Sequence, residues 1–109
     1  MNNEQILRRF FAAENQRDWA AYQTFLHPAV RWQLQKDGTY IFSGIDEYMA
    51  AIKKAYENNA IRFSCTGMMV SGDGNRIVAH LVNDHGIRSV DIFDFRDGKI
   101  YREFEFIMD

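Results

Sequence analysis

Asp91 is the residue of this sequence whose surroundings most favour chemistry. It lies in the stretch Ser89–Phe106 (SVDIFDFRDGKIYREFEF), which has the alternating pattern of two strands around an Asp-Gly turn. Because side chains alternate along a strand, Asp91 shares a side with Phe93 and Phe95. Burial raises the pKa of a carboxyl group, whereas a neighbouring cation lowers it. The groups around Asp91 therefore decide whether it acts as a neutral hydrogen-bond donor or as a base.

The predicted register of this hairpin gives Asp91 a basic neighbour. A two-residue turn at Asp97-Gly98 pairs Asp91 with Phe104 and Phe93 with Arg102, because the length of a turn sets which residues face each other. The face that carries Asp91 then also carries Arg102 and Phe104. The other face is predicted to be wet or to form a dimer contact, and it carries Val90, Ile92, Asp94, Tyr101, Glu103 and Glu105.

A second count of register brings a histidine to the same face. A two-residue turn at Asp84-His85 places His80 diagonal to Asp91, within reach of a long side chain. We predict Asp91 and His80 as the catalytic pair, with Asp91 as acid or donor and His80 as its partner or base. Structural explanations stay open: a buried ion pair for Asp91, a core histidine for His80 and a solvated strand position for Arg102. A one-residue bulge would move these groups to the outer face.

Three helices are predicted to cover the sheet that positions these residues. Apolar residues recur at helical spacing from Glu4 to Glu14, and Asp18 is a suitable N-cap for a short second helix that Pro28 ends. The third helix begins at a Ser43 capping-box pattern and runs to about Asn58.

Period-two patterns predict six strands. They cover Ala29–Gln35, Thr39–Ser43, Ile61–Val70, Arg76–Val82 and the two strands of the Ser89–Phe106 hairpin. The last four strands form an antiparallel meander. In the first strand the apolar residues Val30, Trp32 and Leu34 are predicted to point inward. This order of elements puts helices on one face of a single sheet, an α+β fold.

Composition excludes several classes of function. The 109 residues carry a net charge of −2 with scattered basic residues, so we expect no nucleic-acid partner. Cys65 is the one cysteine, and the sequence has no long apolar run and no N-terminal leader pattern, which predicts a cytoplasmic protein without a membrane partner. The three histidines have no metal-site spacing, so neither a metal nor another cofactor is expected.

The order of elements and three segments, RDWAAYQTFLHPAVRW, SGIDEYMAAI and VDIFDFRDGKI, resemble the nuclear transport factor two-like superfamily. The sequence is most similar to its SnoaL-like and ketosteroid-isomerase-like members. The resemblance covers nearly the whole chain and implies one SnoaL-like domain over residues 1–109. It also implies a cone-shaped, curved antiparallel sheet packed against N-terminal helices, as in a cystatin-like roll, around a pocket.

Comparison with ketosteroid isomerases also bears on the site. Asp91 stands where the resemblance implies an aspartic acid that its apolar site keeps protonated. Phe10 replaces the tyrosine of the oxyanion hole, and Gln33 replaces the general-base aspartate. Steroid isomerisation is therefore not inferred from the resemblance.

Two functions remain at the level of the sequence. The first is binding of a hydrophobic small molecule, with acid-base chemistry of an isomerase or cyclase type in an aromatic pocket. The residues predicted to line this pocket are Phe10, Tyr22, Trp32, Tyr40, Phe93, Arg102 and Phe104. The alternative is a non-catalytic ligand-binding or interaction module of the same fold. A homodimer through the outer sheet face is expected under both.

Overall fold

The computed structural model describes residues 1–109 as three helices and six strands. In chain order the elements are α1 (Asn3–Gln16), α2 (Trp19–Thr24), β1 (Leu26–Gln35), β2 (Thr39–Ser43), α3 (Ile45–Ala55), β3 (Phe63–Val70), β4 (Arg76–Asn83), β5 (Arg88–Arg96) and β6 (Lys99–Ile107). The predicted order of elements and the α+β class are confirmed. None of the helices is both long and apolar enough to cross a membrane.

The six strands form one curved, open sheet in the order β2-β1-β6-β5-β4-β3. The predicted antiparallel meander of β3 to β6 is confirmed, and β1 joins it by pairing with β6 in parallel. The turn between β5 and β6 lies where the sequence predicts it. Asp97 and Gly98 both have positive φ angles, of 53° and 73°, which is the conformation of a type I′ turn.

Several predicted boundaries shift by a few residues. Helix α2 ends at Thr24, so Pro28 lies inside β1 rather than ending the helix. Pro28 falls where the pairing of β1 with β6 is irregular, which suits a residue without an N–H donor. Helix α3 has Gly44 at its N-cap and no side-chain cap, so the predicted Ser43 capping box is wrong.

The core lies between the helices and one face of the sheet. Leu7 of α1, Val30 of β1, Ile77 of β4 and Ile100 of β6 are fully buried there, and each such side chain contributes about 1.5–3 kcal/mol. Trp32 is buried as well, so the inward orientation predicted for Val30 and Trp32 is confirmed.

A β-bulge in β6 changes the register that the sequence predicts. Phe95 pairs with Ile100, but Asp94 pairs with Arg102, so Tyr101 is an extra residue between the two pairs. The guanidinium groups of Arg96 and Arg102 lie 4.0 and 3.8 Å from the centre of the Tyr101 ring and so contact the bulged residue. Beyond the bulge, every β6 side chain lies on the face opposite to the predicted one.

The loop between β4 and β5 is also longer than predicted. Val82 pairs with Arg88, and the Asn83 N–H donates to the Ile87 carbonyl, which leaves Asp84, His85 and Gly86 as a three-residue loop. Gly86 has a φ of 78°, the left-handed conformation that closes such loops. The longer loop shifts the pairing of β4 with β5 by one residue.

Candidate functional site

A cavity of about 120 Å³ lies between the helices and the inner face of the sheet. Helix α1 contributes Phe10, Phe11 and Glu14, because Glu14 lies four and three residues after the two phenylalanines and shares their side of the helix. The aromatic wall is completed by Tyr22, Tyr56, Phe63 and Phe93. Four acidic residues open into the same space: Glu14, Asp91, Glu103 and Glu105. The cavity therefore combines apolar walls with a concentration of carboxyl groups.

Three of these carboxyl groups converge. One oxygen each from Asp91, Glu103 and Glu105 lies within 4.8 Å of the other two. The pairing of β5 with β6 brings them together, because Asp91 faces Glu105 and Phe93 faces Glu103. Asp91 and Glu103 are only 3% and 6% exposed. We call these three residues the acid cluster; they are also the side chains that could ligate one metal ion.

Asp91 has no protein partner for its Oδ1 atom. Burial raises the pKa of Asp91 well above its ordinary value, and the charge of Glu105 raises it further, while the Ser89 side chain acts in the opposite direction. A buried carboxylate without a donor is costly, so the surroundings of Asp91 favour its protonated form. Its Oδ1 is the atom of the cluster that a ligand can satisfy, by accepting from the protonated acid or by donating to the carboxylate.

Glu103 lies at the end of a chain of hydroxyl groups. The Tyr48 hydroxyl donates to Glu103 Oε1, and the Tyr22 hydroxyl lies 3.1 Å from that of Tyr48. Burial raises the pKa of Glu103 well above its ordinary value, the charges of Glu105 and Asp91 raise it further, and the bond from Tyr48 lowers it. The surroundings of Glu103 thus favour its protonated form as well, and Tyr48 of α3 fixes its position.

Glu105 and Glu14 have pKa values close to neutral pH. Burial raises the pKa of Glu105 to about 7, while donation from Trp32 Nε1, at 3.2 Å, and the charge of Lys36 lower it. Burial also raises the pKa of Glu14 to about 7, against a hydrogen bond from the Tyr56 hydroxyl. A group with a pKa near 7 can both take up and release a proton at physiological pH.

Four of the residues predicted from sequence lie at this cavity. Asp91, Phe10, Tyr22 and Phe93 line it. Trp32 lies just behind it, packs against Tyr48 with ring centres 5.1 Å apart and orients Glu105. Their roles in catalysis and binding stay predictions.

The structure places the other four candidates elsewhere. His80 pairs with Val90 and is exposed on the outer face, because the three-residue loop shifts β4 against β5. The bulge turns Arg102 and Phe104 outward, where Arg102 donates to the Ala29 carbonyl at 3.3 Å. Tyr40 is 42% exposed on an edge strand. The prediction that His80 and Arg102 share a face with Asp91 is therefore wrong.

Sequence reasoning missed Glu14, Glu103 and Glu105. Glu14 could have been found, because it lies three residues after Phe11 and seven after Leu7 on the buried face of α1. The two β6 glutamates were assigned to the outer face, as an unbulged hairpin requires. The sequence around Tyr101 has no glycine that would mark the bulge.

Comparison with known proteins gives the family. Residues 7–103 match the SnoaL-like domain. The chain belongs to this SnoaL-like family, and the recognition made from the sequence is confirmed. No curated protein matches the chain.

Solved structures agree on the fold. A protein from Kribbella flavida, provisionally named a ketosteroid isomerase, superposes with a TM-score of 0.86 at 16% identity, covering 98% of this chain and 78% of that one. A provisionally named polyketide cyclase from Sinorhizobium meliloti gives 0.78 at 15% identity, covering 93% of each chain. An NTF2-like protein of unknown function from Burkholderia pseudomallei gives 0.81 at 24% identity, covering 99% and 92%. The shared feature is an NTF2-like, cystatin-like fold.

Proposed function

We propose that this chain binds a small molecule with an apolar body in the cavity and catalyses a proton transfer on it, as an isomerase or cyclase does. The observation that carries the proposal is the acid cluster, in which three carboxyl groups of raised pKa converge on one cavity. Pairs of acids whose surroundings push their pKa values apart are the usual arrangement for acid-base catalysis.

The roles follow from the surroundings of each group. Asp91 is the acid, because it lines the cavity and its Oδ1 has no partner in the chain, so its protonated form can donate to a carbonyl oxygen of the ligand. Glu105 is the base, because its pKa of about 7 lets it accept a proton from carbon and return it. The hydroxyl of Tyr48 holds Glu103 behind them.

The volume limits what the cavity encloses. An apolar cavity of about 150 Å³ takes up benzene, which has six heavy atoms, so a cavity of about 120 Å³ holds roughly five to six. A whole steroid is far larger than that. The enclosed ligand, or the reacting end of a longer one, is therefore small.

Exchange of α-protons for deuterium tests the chemistry. Cyclopentanone has six heavy atoms and a carbonyl for Asp91 to polarise. We expect this chain to accelerate its α-exchange in D₂O above the buffer rate, as followed by proton NMR. Glu105→Gln and Asp91→Asn should each lose about 100-fold or more of that acceleration.

Glu57→Gln is the matched control, because it makes the same change at an exposed position of the surface. It should exchange cyclopentanone like the unmodified protein. If no protein accelerates exchange, or if Glu105→Gln and Asp91→Asn exchange as fast as the control, the assignment of acid and base is wrong.

A second candidate function is a dimeric binding module without catalysis. The bulge gives the outer face a continuous apolar patch across three strands, and every member is only half-buried: Val78, Val90, Ile92, Phe104 and Phe106. Contiguous exposed apolar surface is typical of an interface, and a second copy of the chain offers the same patch.

The oligomeric state tests this proposal directly. Ile92 lies between Val78 and Phe104 in the patch, so Ile92→Asp should convert a dimer to a monomer in light scattering at tens of micromolar. Ala12→Asp, at an exposed position of α1, should leave the dimer intact. An unmodified protein that is monomeric under these conditions would exclude the dimer.

A further inference from the structure

The cavity is lined by four carboxyl groups and by no basic side chain. Glu14, Asp91, Glu103 and Glu105 line it, and no lysine, arginine or histidine does. Because like charges in a low-dielectric space repel strongly, carboxyl groups without a basic neighbour either stay protonated or are balanced by a cationic ligand. In this cavity the negative charge of the carboxylates is therefore neutralised either by protonation or by a bound cation.

Two basic side chains act on these acids through their charge, but both make their contacts outside the cavity. Arg17 donates to the Ile61 carbonyl at 2.7 Å and lies 3.9 Å from the centre of the Tyr56 ring, outside the cavity. Lys36 lies 5.4 Å from the centre of the Tyr40 ring. Neither side chain is placed to form an ion pair with Asp91.

The acid cluster is also compact enough for one ammonium group to contact all three carboxyl groups. Two acceptors that a tetrahedral –NH₃⁺ contacts at about 2.9 Å lie about 4.7 Å apart. The three cluster oxygens lie within 4.8 Å of one another. Asp91 is 3% exposed and its Oδ1 has no partner, so this buried oxygen needs a hydrogen bond that the chain does not supply. A single N–H donor at this point would satisfy it.

The remaining wall suits the body of such a cation. Phe10 and Phe93 meet edge to face, with ring centres 6.2 Å apart, and Phe11 and Phe93 are 5.7 Å apart. Aromatic rings attract cations through their faces and bury apolar carbon at the same time. The volume of about 120 Å³ leaves space for only a few carbon atoms beyond the nitrogen.

We infer that the ligand class of this cavity is a small primary amine in its ammonium form, held by Asp91, Glu103 and Glu105 with its apolar body against the aromatic wall. This inference rests on the proposed binding function and narrows it. Trp32 and Tyr48 each donate to one oxygen of a cluster glutamate, which fixes the carboxyl groups and leaves their second oxygens for the ligand.

Cyclopentylamine and cyclopentanol form the matched probe pair, because they differ only in the charged group. Binding is measured at pH 7.5 by calorimetry and by the shift in melting temperature. We expect the amine to bind at least about tenfold more tightly than the alcohol, since charge-assisted hydrogen bonds are about twice as strong as neutral ones. Asp91→Asn and Glu105→Gln should each remove most of that preference, and Glu57→Gln should keep it.

The outcomes separate this inference from the function on which it rests. Equal affinity for amine and alcohol, or α-exchange of cyclopentanone without any binding of the amine, would overturn the inference and leave the proposed function standing. Stabilisation by Mn²⁺ or Mg²⁺ but not by the amine would assign the cluster to a metal and overturn it too. If none of these probes binds and no exchange occurs, both proposals fail.

Discussion

The pH dependence of stability is the sharpest test of the buried acid cluster. The pKa of Glu105 rises from an ordinary value of 4.5 to about 7 in the folded chain, chiefly through burial. The folded state therefore keeps a proton that the unfolded state releases between these two pH values. The resulting stabilisation is fully present below pH 4.5 and is lost as the pH rises to about 7.

The size of the effect follows from that difference. About 2.5 pH units at roughly 1.4 kcal/mol per unit correspond to about 3 kcal/mol, of which about 2 to 3 kcal/mol falls between pH 5 and pH 8. Glutamine cannot ionise but can still accept the bond from Trp32 Nε1. Glu105→Gln should therefore be less sensitive to pH than the unmodified protein by at least this amount, because its loss also relieves Asp91 and Glu103.

Urea unfolding at pH 5, 6, 7 and 8 measures this difference. We expect the free energy of unfolding of the unmodified protein to fall as pH rises, and that of Glu105→Gln to fall less. Glu57→Gln, a surface change, should follow the unmodified protein. If the unmodified protein is as stable at pH 8 as at pH 5, or if Glu105→Gln keeps the whole dependence, then Glu105 is not held in a charge-excluding environment and the reasoning is refuted.

Three further substitutions test the supports of the site. Tyr48→Phe removes the donor to buried Glu103 and should cost about 1–3 kcal/mol in urea unfolding; an unchanged midpoint would show that the bond contributes nothing. Trp32→Phe removes the Nε1 donor to Glu105, so the pKa of Glu105 should rise further in carbon-13 NMR titration; a lower pKa would contradict that role. Gly98→Val forces a β-branched residue to a φ of 73° and should lower stability by at least about 1 kcal/mol, unlike the same change at Gly38, where φ is not positive.

The sequence predicts the fold better than it predicts the site. The Asp97-Gly98 turn is found where it was expected, because both residues tolerate positive φ and the pattern on each side is unambiguous. Trp32 is predicted to point inward because the apolar residues of β1 alternate with polar ones, and it is buried in the structure. Both predictions depend on local interactions that a few neighbouring residues determine.

The composition of the site depended instead on two single-residue differences in register. One extra residue at Tyr101 and one in the loop around His85 moved His80, Arg102 and Phe104 out of the site and brought Glu103 into it. Because side chains alternate with period two, an error of one residue inverts a whole strand. The residue type of Tyr101 does not mark it as a bulge position among its neighbours in β6. The position of the bulge therefore depends on tertiary packing, which the sequence pattern does not reveal.

The bulge at Tyr101 also has a consequence for how the length of β6 can vary. Deletion of Tyr101 would join Ile100 directly to Arg102, so Asp94 would still pair with Arg102 and Phe93 with Glu103, and the strand would lose its bulge without exchanging its faces. We therefore expect a chain lacking Tyr101 to keep Glu103 and Glu105 inside the cavity and to keep the preference for cyclopentylamine over cyclopentanol. A strand that kept Tyr101 but paired without a bulge would instead bring Phe104 inward, so the acidic lining depends on how one residue is accommodated and not on its presence.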